Sequence, residues 1–195
     1  MKTLEFFFDY ISPYSYLAST QVESIADRAG AQLAWRPFVL GAVFQATGNP
    51  APGMNAYKAS YMLSDLLRWT RHYRLPDFTL PDPFPTRSIT ALRLGLVAAE
   101  QGCLPAFTHA LYHAVFGLGQ DQASREVLSS VLNQVGMNVE ASFARAEEPQ
   151  IKELLRKNTD EAVARGSFGA PTLFVGEEMF IGNDRLAFVE KALTA

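Results

Sequence analysis

The chain has 195 residues, 17 basic and 20 acidic side chains, a formal net charge of −3 and a single cysteine. Hydrophobic residues make up 48% and charged residues 19%, which is enough apolar material for a full core and excludes global disorder. The weak acidity and the lack of any Lys/Arg run offer no general attraction to nucleic acid or an anionic membrane. Cys103 alone can make neither an intrachain disulfide nor an all-cysteine zinc site.

At about 150 residues per domain, this length predicts one domain, or one domain carrying an insertion. The first segment, Leu4 to Phe8, is an apolar run bounded by charge. Glu5 and Asp9 interrupt it too soon for a signal-peptide core of about 7 to 15 apolar residues, so it reads as a buried strand. No stretch approaches the ~18 apolar residues of a membrane span, and the expectation is a soluble protein of the reducing cytoplasm. After Asp9-Tyr10-Ile11, Ser12 can cap a helix with Pro13 in its first turn. Tyr14, Leu17, Ala18, Val22, Ile25, Ala26 and Ala29 then recur at helical spacing, and Gly30 ends the helix in a left-handed conformation. Leu33, Trp35 and Phe38 form a second strand ending near Pro37. Together these make a βαβ unit with parallel strands.

Gly48-Asn49-Pro50-Ala51-Pro52-Gly53 is a loop by composition. Beyond it, Tyr61, Leu63, Leu66, Leu67 and Trp69 predict a helix ending before Pro76, and a proline-rich turn runs to Pro85. Helical patterns follow at 87–101, 104–116, 124–134 and 138–147, with no strand among them. The expected division is a thioredoxin-like domain from 1–45 and 148–195, with an all-helical insertion at 46–147. Ile151, Leu154, Leu155, Ala162 and Val163 then mark a helix ending at Gly166, and Pro171 to Val175 is a strand. Gly176-Glu177-Glu178 is read as the turn before a last strand at Met179-Phe180-Ile181. Asn183 or Asp184 is expected to cap a final helix carrying Leu186, Val189 and Leu193 on one face. The order has the shape of an α/β thioredoxin fold interrupted by helices.

In a thioredoxin-type unit the reactive position lies between the first strand and the first helix, where free N–H groups and the helix dipole favour an anion. Redox members place Cys-x-x-Cys there, whereas this chain has Ser12-Pro13-Tyr14-Ser15, so it cannot itself exchange a disulfide. The position suits a thiolate brought by another molecule, to which the Ser12 hydroxyl can donate. Ser12 also reads as an ordinary N-cap, and the two roles can coexist.

Phe8-Asp9-Tyr10-Ile11-Ser12-Pro13-Tyr14-Ser15-Tyr16-Leu17-Ala18 resembles the opening of 2-hydroxychromene-2-carboxylate isomerases and kappa-class glutathione transferases, of the DsbA-like thioredoxin superfamily. Gly48 to Gly53, Phe168-Gly169-Ala170-Pro171-Thr172 and Gly182-Asn183-Asp184-Arg185-Leu186 continue the resemblance in order along the chain. The resemblance implies glutathione as cofactor, with Ser12 contacting its sulfur and Pro171 as a cis-proline facing the active helix. It implies that the Ala170 N–H and C=O pair with the cysteinyl backbone like a short strand. Asn183 and Asp184 would hold the γ-glutamyl end, and Asn49 would help frame the site. Read without the family, Pro171 can simply begin a strand, and Asn183 or Asp184 can simply cap a helix.

The resemblance further implies a homodimer with a small aromatic substrate. The reaction would interconvert the cyclic chromene carboxylate and trans-o-hydroxybenzylidenepyruvate, with the glutathione thiolate as nucleophile and an apolar cleft between the lobes. A kappa-like transferase forming stable conjugates, and a module binding glutathione or an aromatic acid without turnover, are the rival readings. Isomerase members carry a lysine shortly before the Gly-Asn loop, but here Val43 to Thr47 holds no basic residue. Lys58, Arg87 and Arg36 are left as candidates to meet a substrate carboxylate. His109 and His113 stand four apart, yet Ala110 replaces the glutamate of the zinc motif and no third ligand is evident, so no metal site is expected. Cys103 reads as structural, Gly117-Leu118-Gly119 lacks the strand context of a dinucleotide loop, and Tyr61, Trp69 and Tyr73 fit core or substrate-wall roles, with core the preferred reading at helical spacing.

Overall fold

The computed structural model describes residues 1–51, 55–76 and 78–195; Pro52 and Gly53 of the predicted loop lie outside the described residues. Four strands form one sheet in the order β2-β1-β3-β4, with β1 (Thr3–Phe8) parallel to β2 (Gln32–Pro37). β3 (Thr172–Val175) runs antiparallel to both β1 and β4 (Glu178–Ile181). Glu178 therefore opens β4 instead of completing the turn: its pairing with Val175 extends the hairpin ladder one residue further than composition suggested.

β1 is central, and its apolar run serves both faces of the sheet. Leu4, Phe6 and Phe8 point into the main core, while Phe7 packs on the other side with Phe38, Val43, Ala162 and Phe174. A strand buried on both faces needs continuous hydrophobicity rather than alternation, which is why Phe6-Phe7-Phe8 is a strand signature here. On the Phe8 face lie α1 (Pro13–Ala29) and α9 (Leu186–Thr194); on the Phe7 face lie α2 (Leu40–Thr47) and α8 (Pro149–Ala164). The sequence reading missed α2, because an eight-residue helix shows little more than two turns of pattern. Glu5, beside Phe7, is neutralised by Arg36 (3.1 Å) and Arg165 (2.8 Å), whose guanidinium groups lie over Phe7 and Phe174.

Between β2 and β3 come α3 (Ala56–His72), α4 (Ile89–Glu100), α5 (Leu104–Tyr112), α6 (Arg125–Gln134) and α7 (Val139–Ala146). α5 continues through a π-helical turn, His113–Gly117. No strand occurs among the described residues of this stretch. The apolar faces of α4 and α5 join the main core directly, through Leu92, Leu96, Phe107, Leu111 and Tyr112. Cys103 is half-buried at the start of α5 and packs against this core. Of the three aromatics assigned to the core, Trp69 and Tyr73 pack against it with ring centroids 5.2 Å apart, but Tyr61 is 63% exposed on the outer side of α3. Helical spacing alone does not say which of two apolar stripes turns inward.

Behind the β1–α1 corner, Tyr10 is completely buried, and its hydroxyl hydrogen-bonds the Thr108 hydroxyl at 2.9 Å. Gly95 of α4 permits this approach, since a Cβ there would stand 2.8 Å from the Tyr10 hydroxyl oxygen. Gly95→Ala is expected to lower stability by about 1–2 kcal/mol in urea unfolding. The gain in helix propensity, about 1 kcal/mol, is smaller than the cost of displacing a hydrogen-bonded ring from a packed core. An unchanged or raised midpoint would show that Tyr10 is free to move.

Candidate active site

The site begins where β1 hands the chain to α1. Ser12 is extended (φ −92°, ψ 111°) and its Oγ accepts the Ser15 N–H at 3.1 Å, so it is the N-cap of α1, with Pro13 following. The first turn of α1 contains no acidic residue, which leaves the positive end of the helix dipole uncompensated. The same Oγ donates to the Ala170 carbonyl oxygen at 3.1 Å. One hydroxyl thus caps a helix and bridges to the segment before β3, where the Ala170–Pro171 peptide is cis. Ala170 is only half-buried, and among the described residues its N–H finds no acceptor in the chain. A free donor and a carbonyl therefore stand beside Ser12 just before the start of β3, the pattern that pairs with an extended peptide backbone.

Two further elements hold this segment. Asn49, one residue beyond the left-handed Gly48 that ends α2, donates its side-chain N–H to the Phe168 carbonyl at 2.8 Å. The Gly182 N–H donates to the Pro171 carbonyl at 3.0 Å, drawing the Asn183–Arg185 turn toward the cis-proline. Ser12 thus bonds Ala170 directly, Asn49 holds the same segment two residues earlier at Phe168, and Pro171 is bonded to Gly182, from which Asn183 and Asp184 follow immediately.

Neither Asn183 nor Asp184 caps α9 as expected. They lie in a 3₁₀ turn, and the residue before α9 is Arg185, which makes no side-chain cap. The physical reason is Gly182, whose positive φ of 97° turns the chain straight into the 3₁₀ bonds, with the Arg185 N–H reaching the Gly182 carbonyl. Asn183 is buried with its side-chain N–H 3.4 Å from the Tyr73 hydroxyl, which donates to the Asn183 carbonyl at 3.3 Å. Asp184 is half-exposed and near enough to Tyr14 and Tyr73 for its charge to oppose their ionisation. Tyr14, two residues beyond Ser12, donates to the Asp65 carboxylate of α3 at 3.2 Å. Burial first, then the Asp65 charge, keep this phenol protonated far above its ordinary range. Neither Tyr14 nor Asp65 was identified from sequence, because an aromatic beside a cap and an acid on a helix surface have no local signature.

Among the candidates to meet a carboxylate, Arg36 is committed elsewhere, paired with Glu5 and Glu161 and donating to Asn158 on the far face of the sheet. Lys58 and Arg87 are exposed. Ser15, at the position of the second redox cysteine, is wholly buried, and its Oγ has no partner among the described residues. The site therefore carries no thiol of its own and no redox pair.

The DSBA-like thioredoxin domain family matches residues 3–194. The chain is 35% identical to a 2-hydroxychromene-2-carboxylate isomerase of Sphingobium xenophagum, with 98% of each covered. It is 29% identical to glutathione S-transferase kappa 2 of Caenorhabditis elegans, covering 95% of this chain and 88% of the relative. Among solved structures, a 2-hydroxychromene-2-carboxylate isomerase superposes with a TM-score of 0.89 at 27% identity, over 98% of this chain and 94% of the other.

Proposed function

The chain belongs to the DSBA-like thioredoxin family, within the group of 2-hydroxychromene-2-carboxylate isomerases and kappa-class glutathione transferases, and from that premise we propose a glutathione-dependent isomerase. Its substrate is 2-hydroxychromene-2-carboxylate or a related aromatic-degradation intermediate. The observation that carries this reading is the single Ser12 hydroxyl, bonded at 3.1 Å to the carbonyl of Ala170 beside an unpaired N–H, where redox relatives hold a disulfide. The donor set fits glutathione: Ala170 offers backbone pairing, and Asp184 offers a carboxylate to an ammonium. Asn49 and Asn183 hold the two flanking segments in place, and Pro171 fixes the segment that carries Ala170.

When bound, glutathione would supply the thiolate nucleophile for reversible addition to a conjugated double bond. The protein keeps the sulfur ionised. Ser12 would turn its one proton from the Ala170 oxygen toward the sulfur, and the dipole of α1 would favour the negative charge. That turn also frees the Ala170 carbonyl for a backbone N–H of the ligand. The helical insertion, 46–147, forms the second wall of the cleft. The homodimer belongs to the same reading and is supported by the apolar residues that α3 leaves exposed, Tyr57, Tyr61, Leu63 and Leu67.

The test is incubation of the purified protein with glutathione and the chromene carboxylate, followed by mass spectrometry and chromatography of the products. The expected outcome is the ring-opened isomer with glutathione recovered unchanged. A stable conjugate would assign a kappa-like transferase instead, and saturable glutathione binding without turnover would reduce the protein to a binding module.

A further inference from the structure

Asp9 is 1% exposed, yet no mechanism above uses it. It stands between Phe8 and Tyr10, and only its interference with a signal peptide was evident from sequence. In the fold, its carboxylate is a junction. Oδ1 accepts the Ile11 N–H at 3.1 Å and Oδ2 accepts the Leu40 N–H at 2.9 Å. Its backbone carbonyl accepts the Ser12 N–H at 3.0 Å and the Tyr112 hydroxyl at 3.1 Å. One residue therefore ties the loop presenting Ser12 to the start of α2 and to the end of α5.

We propose that Asp9 is a positioning residue of the glutathione site: its ionised carboxylate, rather than its bulk, holds the β1–α1 loop in the shape that presents Ser12. The inference rests on the glutathione reading for its ligand, and on the geometry alone for its effect on the loop. The two backbone N–H groups fall on different oxygens, so a carboxylate with two equivalent oxygens serves both at full strength. A proton, or an amide nitrogen, on either oxygen weakens or removes one bond. No lysine, arginine or histidine acts on Asp9 among the described residues; the ionisable groups that face it are the phenols of Tyr10 and Tyr112, both themselves buried. Burial without a counter-charge raises the carboxyl to about 6, so the loop loosens within a mildly acidic range.

The experiment is calorimetric titration with S-methylglutathione, which has no thiol to ionise, between pH 5 and 7 on wild type and Asp9→Asn. Amide hydrogen exchange at Ile11 and Leu40 is followed in the ligand-free proteins. Wild type is expected to lose affinity about tenfold on acidification, and the variant to bind about tenfold more weakly at pH 7 with a flat profile. Exchange at one or both amides should be faster in the variant and faster in wild type at low pH, after correction for the intrinsic rate. Identical pH profiles in the two proteins overturn the proposal. If S-methylglutathione binds neither, the glutathione reading falls and exchange alone decides: equal protection overturns the positioning role, and lost protection upholds it. Should the variant not fold, the wild-type exchange profile is decisive, and protection independent of pH overturns the role.

Discussion

Ser12→Ala is expected to lower turnover of the chromene carboxylate by roughly 10²–10³-fold, the usual cost of removing one hydrogen-bond donor from a charge that matters in the transition state. The variant should still fold. Losing the N-cap bond to the Ser15 N–H costs about 1 kcal/mol of stability, a small part of the total for a domain of this size. The discriminating signature is protonic. With wild type near neutral pH, glutathione binding should release a proton, seen as a dependence of the calorimetric heat on the buffer's ionisation enthalpy. Ser12→Ala should bind with little release, because the helix dipole remains but the direct donor does not. Ser12→Thr keeps a hydroxyl and a capping oxygen, and should retain most of both activities. Full turnover and full proton release in Ser12→Ala would remove Ser12 from the chemistry and leave it a helix cap.

The second large effect concerns stability, with a sign opposite to the usual carboxylate. Asp9 has a folded-state pKa of about 6 against 3.8 in the unfolded chain. The folded state therefore holds the Asp9 proton more tightly, and this contribution to stability is complete below about pH 4. It is lost as pH rises through about 6, because unfolding then releases a proton. Integrated over that window, wild type should lose about 3 kcal/mol relative to Asp9→Asn, and the difference should be level at neutral pH and above. Urea unfolding of both proteins from pH 4 to 7 checks this, since all other titrating groups cancel in the comparison. Parallel curves would mean that Asp9 is hydrated or paired in the folded state. A buried, unpaired carboxylate at the reactive loop is thus a standing cost at neutral pH, the kind of cost more often kept for a site than for a core.

Replacing the redox pair with serine reassigns the same architecture. A Cys-x-x-Cys site stores two electrons between its own sulfurs, whereas Ser12 and Ser15 can store none. The N-terminus of α1 still favours an anion, and in the proposed function that stabilisation would pass to a sulfur that the protein does not own.

Much of the molecule was legible along the chain. The apolar run at Leu4–Phe8, the Ser12-Pro13 start and Gly30 stop of α1, and the helical periods of α4 to α8 are local signals. Each rests on neighbouring residues competing for the same backbone hydrogen bonds or turning toward the same face. The serines at 12 and 15 likewise show along the chain that the position between β1 and α1 holds no redox pair. Only the tertiary structure decided the rest. The Ser12–Ala170 bond joins residues 158 apart. The outward turn of Tyr61 was chosen by which stripe of α3 met α1. Asp9 became a junction because α2 and α5 each bring a donor to it, and Gly182 routed Asn183 and Asp184 into a 3₁₀ turn instead of a cap. Such contacts depend on packing between distant segments, and neighbouring residues carry no record of them.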